Sequence, residues 1–192
     1  MLKVLRKKLS QRLGFMKPHD SRGRRLVVVI ECLLNQNARD AGAAAFPAIC
    51  WPIVRLCHEY NIGMLQMPCP EKSFLGIERK RKPDQSIREV LDTCQGRAWC
   101  REMSVILVDS IQDYLNHGYH VVAILGGNPK SPGCAVNLNS GTLSPDSGVF
   151  IKELAGELDK RSIHIPFRGI RDYDPDMLAQ DIEWVRKIFA SL

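Results

Sequence analysis

The sequence has no run of about 18 consecutive apolar residues, which is the length that a membrane-spanning helix needs. Its N-terminus has neither the apolar stretch nor the small-residue cleavage site of a secretory signal. No internal repeat is visible, which argues against an array of stacked repeats. These absences predict a cytoplasmic protein without a membrane span.

The composition is ordinary for a globular domain. The 192 residues are 45% hydrophobic and 25% charged, with a mean hydropathy of -0.16. One domain of this length buries enough apolar surface to need no disulfides. In a reducing compartment, an odd number of cysteines, here seven, indicates metal ligands, a nucleophile or core residues rather than a disulfide framework.

The positive charge is concentrated at the N-terminus. Residues 1–25 contain nine of the 27 Lys and Arg residues but one of the 21 acidic residues, so their net charge is +8 and that of the remainder is −2. We expect a flexible basic arm at 1–25 and an α/β domain at 26–192. The arm is suited to nucleic acid or an anionic membrane surface, or it is a solvated extension. Met16 is a second candidate for the start of the chain.

Short apolar runs alternate with helical patterns after the arm. Strands are predicted at residues 26–30, 62–67 and 119–125, with a weaker one at 162–166. Helices are predicted at 47–60, at 98–117, from a cap at Asp146 or Ser147 to residue 158, and from a cap at Asp174 with Pro175 at the first position. Residues 70–97 are charged and are predicted to be irregular. The basic run 79–82 is typical of a solvated loop, although over a crevice it would attract an anionic group. The alternation predicts a single Rossmann-like or flavodoxin-like domain with a mostly parallel sheet.

Three cysteines follow three of the predicted strands. Cys32 lies two residues beyond the first strand, Cys69 follows the second, and Cys134 lies in the loop that leaves the third. In open parallel sheets the ligand crevice lies outside the carboxyl ends of the strands, so we expect these thiols to meet there. Prolines stiffen the loops around Cys69 and Cys134, which suits a bulky inorganic cluster. The competing interpretation is that each cysteine is a small buried core residue.

The other four cysteines fit that competing interpretation better. Cys50 and Cys57 are seven residues apart on one predicted helix and therefore share a face. Cys94 and Cys100 flank the start of the next helix, with a spacing unlike that of zinc sites, although either could supply a fourth ligand.

Taken together, three motifs resemble those of the thiouracil desulfidase family. They are Glu31-Cys32-Leu33-Leu34-Asn35, Cys69-Pro70-Glu71 and Lys130-Ser131-Pro132-Gly133-Cys134. The resemblance covers about residues 26–150 and implies a [4Fe-4S] cluster bound by Cys32, Cys69 and Cys134, with the fourth iron free to bind the sulfur of a substrate. It also implies that Glu71 and Ser131 are the acid/base pair.

The chain departs from the family pattern at four places, which marks it as a divergent member. Asn35 replaces a glycine, Gly133 replaces a serine, and Ala135 replaces the glycine after the last cysteine. Residues 37–46 do not reproduce the Arg-Tyr-Asp-Gly segment that we associate with the family.

The expected removal of sulfur requires groups that transfer protons and hold the substrate, and the polar residues of the motifs are the candidates. Glu71 is placed to act as a general base toward water, and Ser131 to relay a proton or hold the substrate. Alternatively, Glu71 caps the helix that follows and Ser131 bonds the loop backbone. Lys130 would bind an anionic substrate group or pair with Glu31, and Asn35 is a weaker candidate for substrate binding.

The sequence therefore predicts an enzyme, a cluster-dependent desulfidase that releases sulfide from a small sulfur-containing molecule. One alternative is a module that binds an iron–sulfur cluster or zinc for sensing or sulfur delivery, without turnover. Another is thiol catalysis through a persulfide, which leaves two of the three cysteines without a role. The oligomeric state is left open.

Overall fold

The computed structural model describes residues 20–192. Residues 1–19 of the predicted arm at 1–25 lie outside the described residues. Its last residue belongs to the domain, because the first strand begins at Arg25. Within the described part of the chain, no helix is both long and apolar enough to cross a membrane.

The centre of the molecule is a four-stranded, all-parallel sheet. Its strands are β1 (Arg25–Ile30), β2 (Gly63–Met67), β3 (His120–Gly126) and β6 (Phe167–Gly169), in the order β2-β1-β3-β6. The strand order is flavodoxin-like, with the topological switch point between β1 and β3, where doubly wound proteins bind their ligands. A two-residue hairpin, β4 (Leu138–Asn139) and β5 (Thr142–Leu143), extends from the loop after β3.

Seven helices connect and cover the strands in the described residues. They are α1 (Glu31–Leu34), α2 (Trp51–Glu59), α3 (Pro70–Leu75), α4 (Ile87–Leu91), α5 (Cys94–Asn116), α6 (Val149–Lys160) and α7 (Pro175–Ala190), and a 3₁₀ turn spans Gln36–Ala38. Helix α5 packs against α6 and α2 packs against α7, as expected for the layers that cover a doubly wound sheet. The core lies around β1 and β3, whose apolar side chains from 27 to 30 and from 121 to 125 are all buried.

The predicted fold class is confirmed, whereas several element boundaries were wrong. Residues 70–97 are not irregular, because they form α3 and α4 and the start of α5, which Thr93 caps through Gly96 N. Helix α6 begins after Gly148, and neither Asp146 nor Ser147 caps it. The last strand follows residues 162–166 instead of occupying them. Ser162 adopts a left-handed turn and Pro166 has no N–H to donate, so pairing with β3 begins at Phe167.

Candidate functional site

Cys32, Cys69 and Cys134 line one cleft at the carboxyl ends of the strands. The cleft has a volume of about 920 Å³, and the three residues are 8%, 7% and 5% exposed, respectively. Cys32 lies in α1 directly after β1, Cys69 precedes α3 after β2, and Cys134 follows β3. The structure therefore brings together the three thiols that the strand ends predicted.

Glu31 ties the first two cysteine loops to each other. Its Oε2 accepts a hydrogen bond from Cys69 N at 3.0 Å, and its Oε1 pairs with Lys72 Nζ. Glu31 is buried at the end of β1, so its carboxylate joins α1 to the start of α3. The suggested pairing of Glu31 with Lys130 was wrong, because Lys72 on the adjoining helix occupies the carboxylate.

Two glycines let the Cys134 loop approach its neighbours closely. A Cβ at Gly127 would lie 2.5 Å from Cys134 Sγ, and a Cβ at Gly133 would lie 2.5 Å from Pro70 Cγ. Gly127 N also donates to Cys134 O at 2.7 Å, which holds the loop against the end of β3. Larger side chains at either glycine would push Cys134 away from Cys69.

Glu71, Ser131 and Cys134 form a hydrogen-bonded chain. Ser131 Oγ donates to Glu71 Oε1 at 3.1 Å and lies 3.0 Å from Cys134 Sγ. Since the single hydroxyl proton points to Glu71, the thiol is the donor in the second bond. Gly133 N also donates to Glu71 Oε1, at 3.3 Å. The predicted acid/base pair is therefore in direct contact with one predicted ligand, and Glu71 is held within the first turn of α3.

Two arginines with largely buried side chains contact the other two sulfurs. Arg39 was not among the predicted site residues, whereas Arg79 belongs to the run 79–82, whose alternative predicted role was to attract an anionic group over the crevice. Arg39 Nη2 lies 3.6 Å from Cys32 Sγ, and Arg79 Nη2 lies 3.7 Å from Cys69 Sγ. Arg79 is 1% exposed, so the reading of 79–82 as a solvated loop fails for its first member. Arg79 also has a left-handed backbone conformation, and a run of basic residues indicates neither this conformation nor the burial.

Each arginine is also paired with a buried carboxylate. Arg39 Nη2 lies 2.7 Å from Asp172 Oδ2, and this carboxylate also accepts a bond from Gln36 Nε2 at 3.1 Å. Arg79 Nε lies 3.7 Å from Glu71 Oε2, too far for a hydrogen bond, and it has no other hydrogen-bond partner. Asp172 is 140 residues from Cys32 in the sequence, and no spacing pattern indicates it.

Burial raises the pKa of all three cleft thiols. It raises the pKa of Cys32 to about 11, and the Arg39 guanidinium offsets part of the rise. Burial also raises the pKa of Cys69 and raises that of Cys134 well above its ordinary value. The other two thiols and Glu71 add to the rise in the pKa of Cys134, because nearby negative charges disfavour another. Any metal that binds here must therefore displace protons.

Cys32, Cys69 and Cys134 offer three thiol donors to the cleft, which is the ligand type that iron–sulfur clusters use. Among residues 20–192, no three His, Cys, Asp or Glu side chains form a group that could hold one metal ion. Zinc needs ligands that close around a single ion, whereas the cysteines of a cluster bind different iron atoms around a larger group. One feature fits such a group: Arg79, whose Nε is a buried donor without a hydrogen-bond partner, also has its Nη2 3.7 Å from Cys69 Sγ.

The remaining predicted residues divide between the cleft and its surroundings. Lys130 lines the cleft, and its Nζ lies 5.5 Å from the centre of the Tyr173 ring. Asn35 is exposed and is not among the cleft-lining residues, because its Oδ1 accepts from Asn37 N at the start of the 3₁₀ turn. Cys94 is exposed, and neither it nor Cys100 lines the cleft.

Comparison with known proteins found a relative that matches more than two thirds of this chain. The chain is 29% identical over 133 residues to a protein of Methanocaldococcus jannaschii named "Uncharacterized protein MJ0003", and the match covers 69% of this chain and 80% of the relative. No family model matches the chain, and no solved structure matches it. The name of the relative states no activity.

Proposed function

We propose that this protein is a [4Fe-4S]-dependent desulfidase that removes sulfur from a small thiolated molecule and releases it as sulfide. The observation that carries the proposal is the contact of Ser131 Oγ with both Glu71 Oε1 and Cys134 Sγ inside a cleft that Cys32 and Cys69 also line. An acid/base pair beside three converging thiols is the combination that the resemblance to thiouracil desulfidases implies.

Cys32, Cys69 and Cys134 would hold the cluster. When bound with three cysteine ligands, it would supply an iron with an open position that acts as a Lewis acid toward sulfur. Guanidinium donors beside the thiols suit a group with negative charge on its sulfurs, since Arg39 and Arg79 already contact two of the cysteine sulfurs. The proposed location is a reducing compartment such as the cytoplasm, where free thiols persist.

Glu71 and Ser131 would manage the protons of the reaction. Replacing a C=S sulfur by oxygen consumes one water, and the sulfur leaves as hydrogen sulfide with the two protons of that water, so no oxidant or reductant is needed. Glu71 would accept a proton from the attacking water, and the Ser131 hydroxyl would pass it toward the departing sulfur. Both side chains line the cleft, and their mutual hydrogen bond is already formed.

The cleft has room for a small organic substrate. Its volume of about 920 Å³ lies in the range of small-molecule sites, about 300–1,000 Å³. Apolar residues form part of its lining, among them Phe46, Ile87, Leu178 and Ile182. Lys130 stands at the same cleft and is suited to an anionic substituent. Asn35 was also predicted to contact the substrate, but it does not line the cleft.

The proposal is tested by anaerobic purification followed by iron and sulfide assays. We expect brown protein with about four irons per chain and broad absorption of the kind that such clusters give. Cys32→Ala, Cys69→Ala and Cys134→Ala should each abolish the cluster, whereas Cys57→Ala, a buried cysteine away from the cleft, should retain it. Colourless protein loaded with zinc under these conditions would contradict the proposal.

Turnover is tested separately with a panel of thiolated bases, thioamides and small thiols. Sulfide released from at least one compound by cluster-replete protein would support the enzyme. A cluster-replete protein that releases sulfide from none of them would instead be a binding module.

A further inference from the structure

We infer that Arg39 and Arg79 are positioning residues of the three-thiol site, each contacting one cysteine sulfur and one buried carboxylate from a separate segment of the chain. The inference rests on the proposed function, since it assigns the arginines to the site that would hold the cluster. The two arginines flank the site from separate segments, one after α1 and the other after α3.

Arg79 has the contacts of a residue that joins several loops at once. Its Nη2 donates to Ala38 O at 2.6 Å and lies 3.7 Å from Cys69 Sγ. Its Nη1 bonds the carbonyl oxygens of Gly76 and Ile77, both at 3.1 Å. The guanidinium therefore links the 3₁₀ turn, the turn after α3 and the second cysteine.

The backbone carbonyls alone do not account for the placement of Arg79. Its Nε is a buried donor without a hydrogen-bond partner, although burying such a group unpaired is unfavourable. Arg79 also lies against Glu71 and a cysteine sulfur, the two groups that the proposed chemistry uses. If Arg79 only held the loop in place, its bonds to the carbonyl oxygens would be enough. A residue that stabilises negative charge at the cysteine sulfur would also use its remaining donor, Nε.

Arg39 makes a corresponding set of contacts on the other side. Its Nη2 bridges Asp172 and Cys32 Sγ, and its Nη1 donates to Ala43 O at 2.8 Å. The side chains of Arg39 and Asp172 are 9% and 0% exposed, so the pair is shielded from water. Because hydrogen bonds to the sulfurs help to set the potential of an iron–sulfur cluster, both arginines are placed to affect its retention and its redox behaviour.

The experiment compares Arg39→Met and Arg79→Met with Arg39→Lys and Arg79→Lys in the full chain. Arg101→Met is the control, because Arg101 is exposed, pairs with Glu153 and does not line the cleft. Each protein is reconstituted anaerobically with ferrous iron and sulfide. Iron content, the rate of iron loss to a chelator and the midpoint potential of the cluster are then measured.

We expect the Met variants to hold the cluster about 10–100-fold more weakly, the usual effect of removing an outer partner of a metal ligand, and to have a lower midpoint potential. Lysine keeps the charge but not the planar fork of donors. The Lys variants should therefore recover most of the potential and little of the retention. Arg101→Met should match wild type in all three measurements.

The outcomes separate this inference from the proposed function. If wild type takes up no cluster, the proposed function fails. If wild type takes up the cluster and both Met variants retain it as well as wild type, at the same potential, the inference alone is overturned. Circular dichroism of each protein establishes folding. Should a Met variant not fold, the Lys variant at that position decides, because wild-type retention in it would overturn the positioning role.

Discussion

The carboxylate of Glu71 is held by its neighbours before any substrate arrives. It is 8% exposed, accepts bonds from Ser131 Oγ and Gly133 N, and lies near the guanidinium of Arg79. A general base fixed in this way needs little rearrangement to meet a water molecule. Its place in the first turn of α3 is also compatible with a structural role, so the two roles must be separated by substitution.

Glu71→Gln separates them, because glutamine keeps the shape of the side chain but cannot accept the proton of water. We expect the variant to retain its cluster and to lose about 10²–10⁴-fold in the rate of sulfide release, the scale of general acid–base catalysis. Iron content and initial rates on an active panel compound measure the two effects. Glu153→Gln, which alters a glutamate outside the cleft, is the control. Wild-type turnover in Glu71→Gln would remove Glu71 as the base.

Close packing around Gly133 explains why this chain has glycine where the desulfidase pattern has serine. Serine at this position would place its Cβ 2.5 Å from Pro70 Cγ and 3.3 Å from Glu71 Cγ. The loop of Cys134 therefore approaches α3 more closely than serine would allow.

Gly133→Ser should consequently lower the free energy of unfolding by about 1–3 kcal/mol, the usual cost of overpacking, and reduce the cluster content. Urea denaturation and iron analysis measure these effects. Gly156→Ala is the matched control, since Gly156 lies within α6 and an added Cβ meets nothing within 4 Å. This control should be neutral or stabilising by up to about 1 kcal/mol. Equal behaviour of the two variants would show that the Pro70 contact relaxes freely.

At the scale of elements, the buried strands and the capped terminal helix were predictable from local chemistry. The β-branched run predicted the buried strand β1, and the dipeptide Asp174-Pro175 predicted the start of α7. The positions of Cys32, Cys69 and Cys134 followed from the strand ends, because parallel strands bring their carboxyl ends to one edge. The roles of Arg39 and Asp172 were not predictable, since their pairing joins segments 133 residues apart through loop conformations without periodicity.

The N-cap of α7 contributes measurably to the free energy of unfolding. Asp174 Oδ1 accepts from Asp176 N and Met177 N, both at 3.0 Å. Asp174→Ala should therefore cost about 0.5–2 kcal/mol, the usual range for loss of an N-cap. Asp146→Ala is the control, because Asp146 resembled a cap in the sequence but does not cap α6. Chemical denaturation of both variants tests the difference. A loss in Asp146→Ala as large as that in Asp174→Ala would contradict this assignment.

At the scale of the whole molecule, the fold divides its cysteines between a cleft and a core. Cys57 and Cys100 are fully buried away from the cleft. Burial raises the pKa of each to about 12 from 9.0, and no guanidinium offsets it. The cleft thiols Cys32 and Cys69 instead have a guanidinium within 3.6 and 3.7 Å of their sulfurs. A contact between the sulfur and a guanidinium therefore distinguishes Cys32 and Cys69 from Cys57 and Cys100, although all four are buried.

The core cysteines should make the free energy of unfolding depend on pH in the alkaline range. A thiol whose pKa is 9.0 in the unfolded chain and about 12 in the folded one binds more protons in the folded state between those values. Its contribution is fully present below pH 9 and is lost as the pH rises toward 12. The free energy of unfolding should fall by about 1.4 kcal/mol per pH unit for each such thiol. Urea denaturation of iron-free, reduced protein at pH 7.5, 9, 10 and 11 measures the slope.

Lysines and tyrosines also titrate in this range, so the decisive quantity is the difference between wild type and Cys100→Ala. Removing the buried thiol leaves a small cavity, whose cost is the same at every pH and shifts the whole curve. The slope above pH 9 should become shallower in Cys100→Ala by the contribution of one thiol. Cys94→Ala, which removes an exposed cysteine, should leave the slope unchanged. Parallel curves for wild type and Cys100→Ala would mean that the Cys100 thiol ionises as readily in the folded protein as in the unfolded chain.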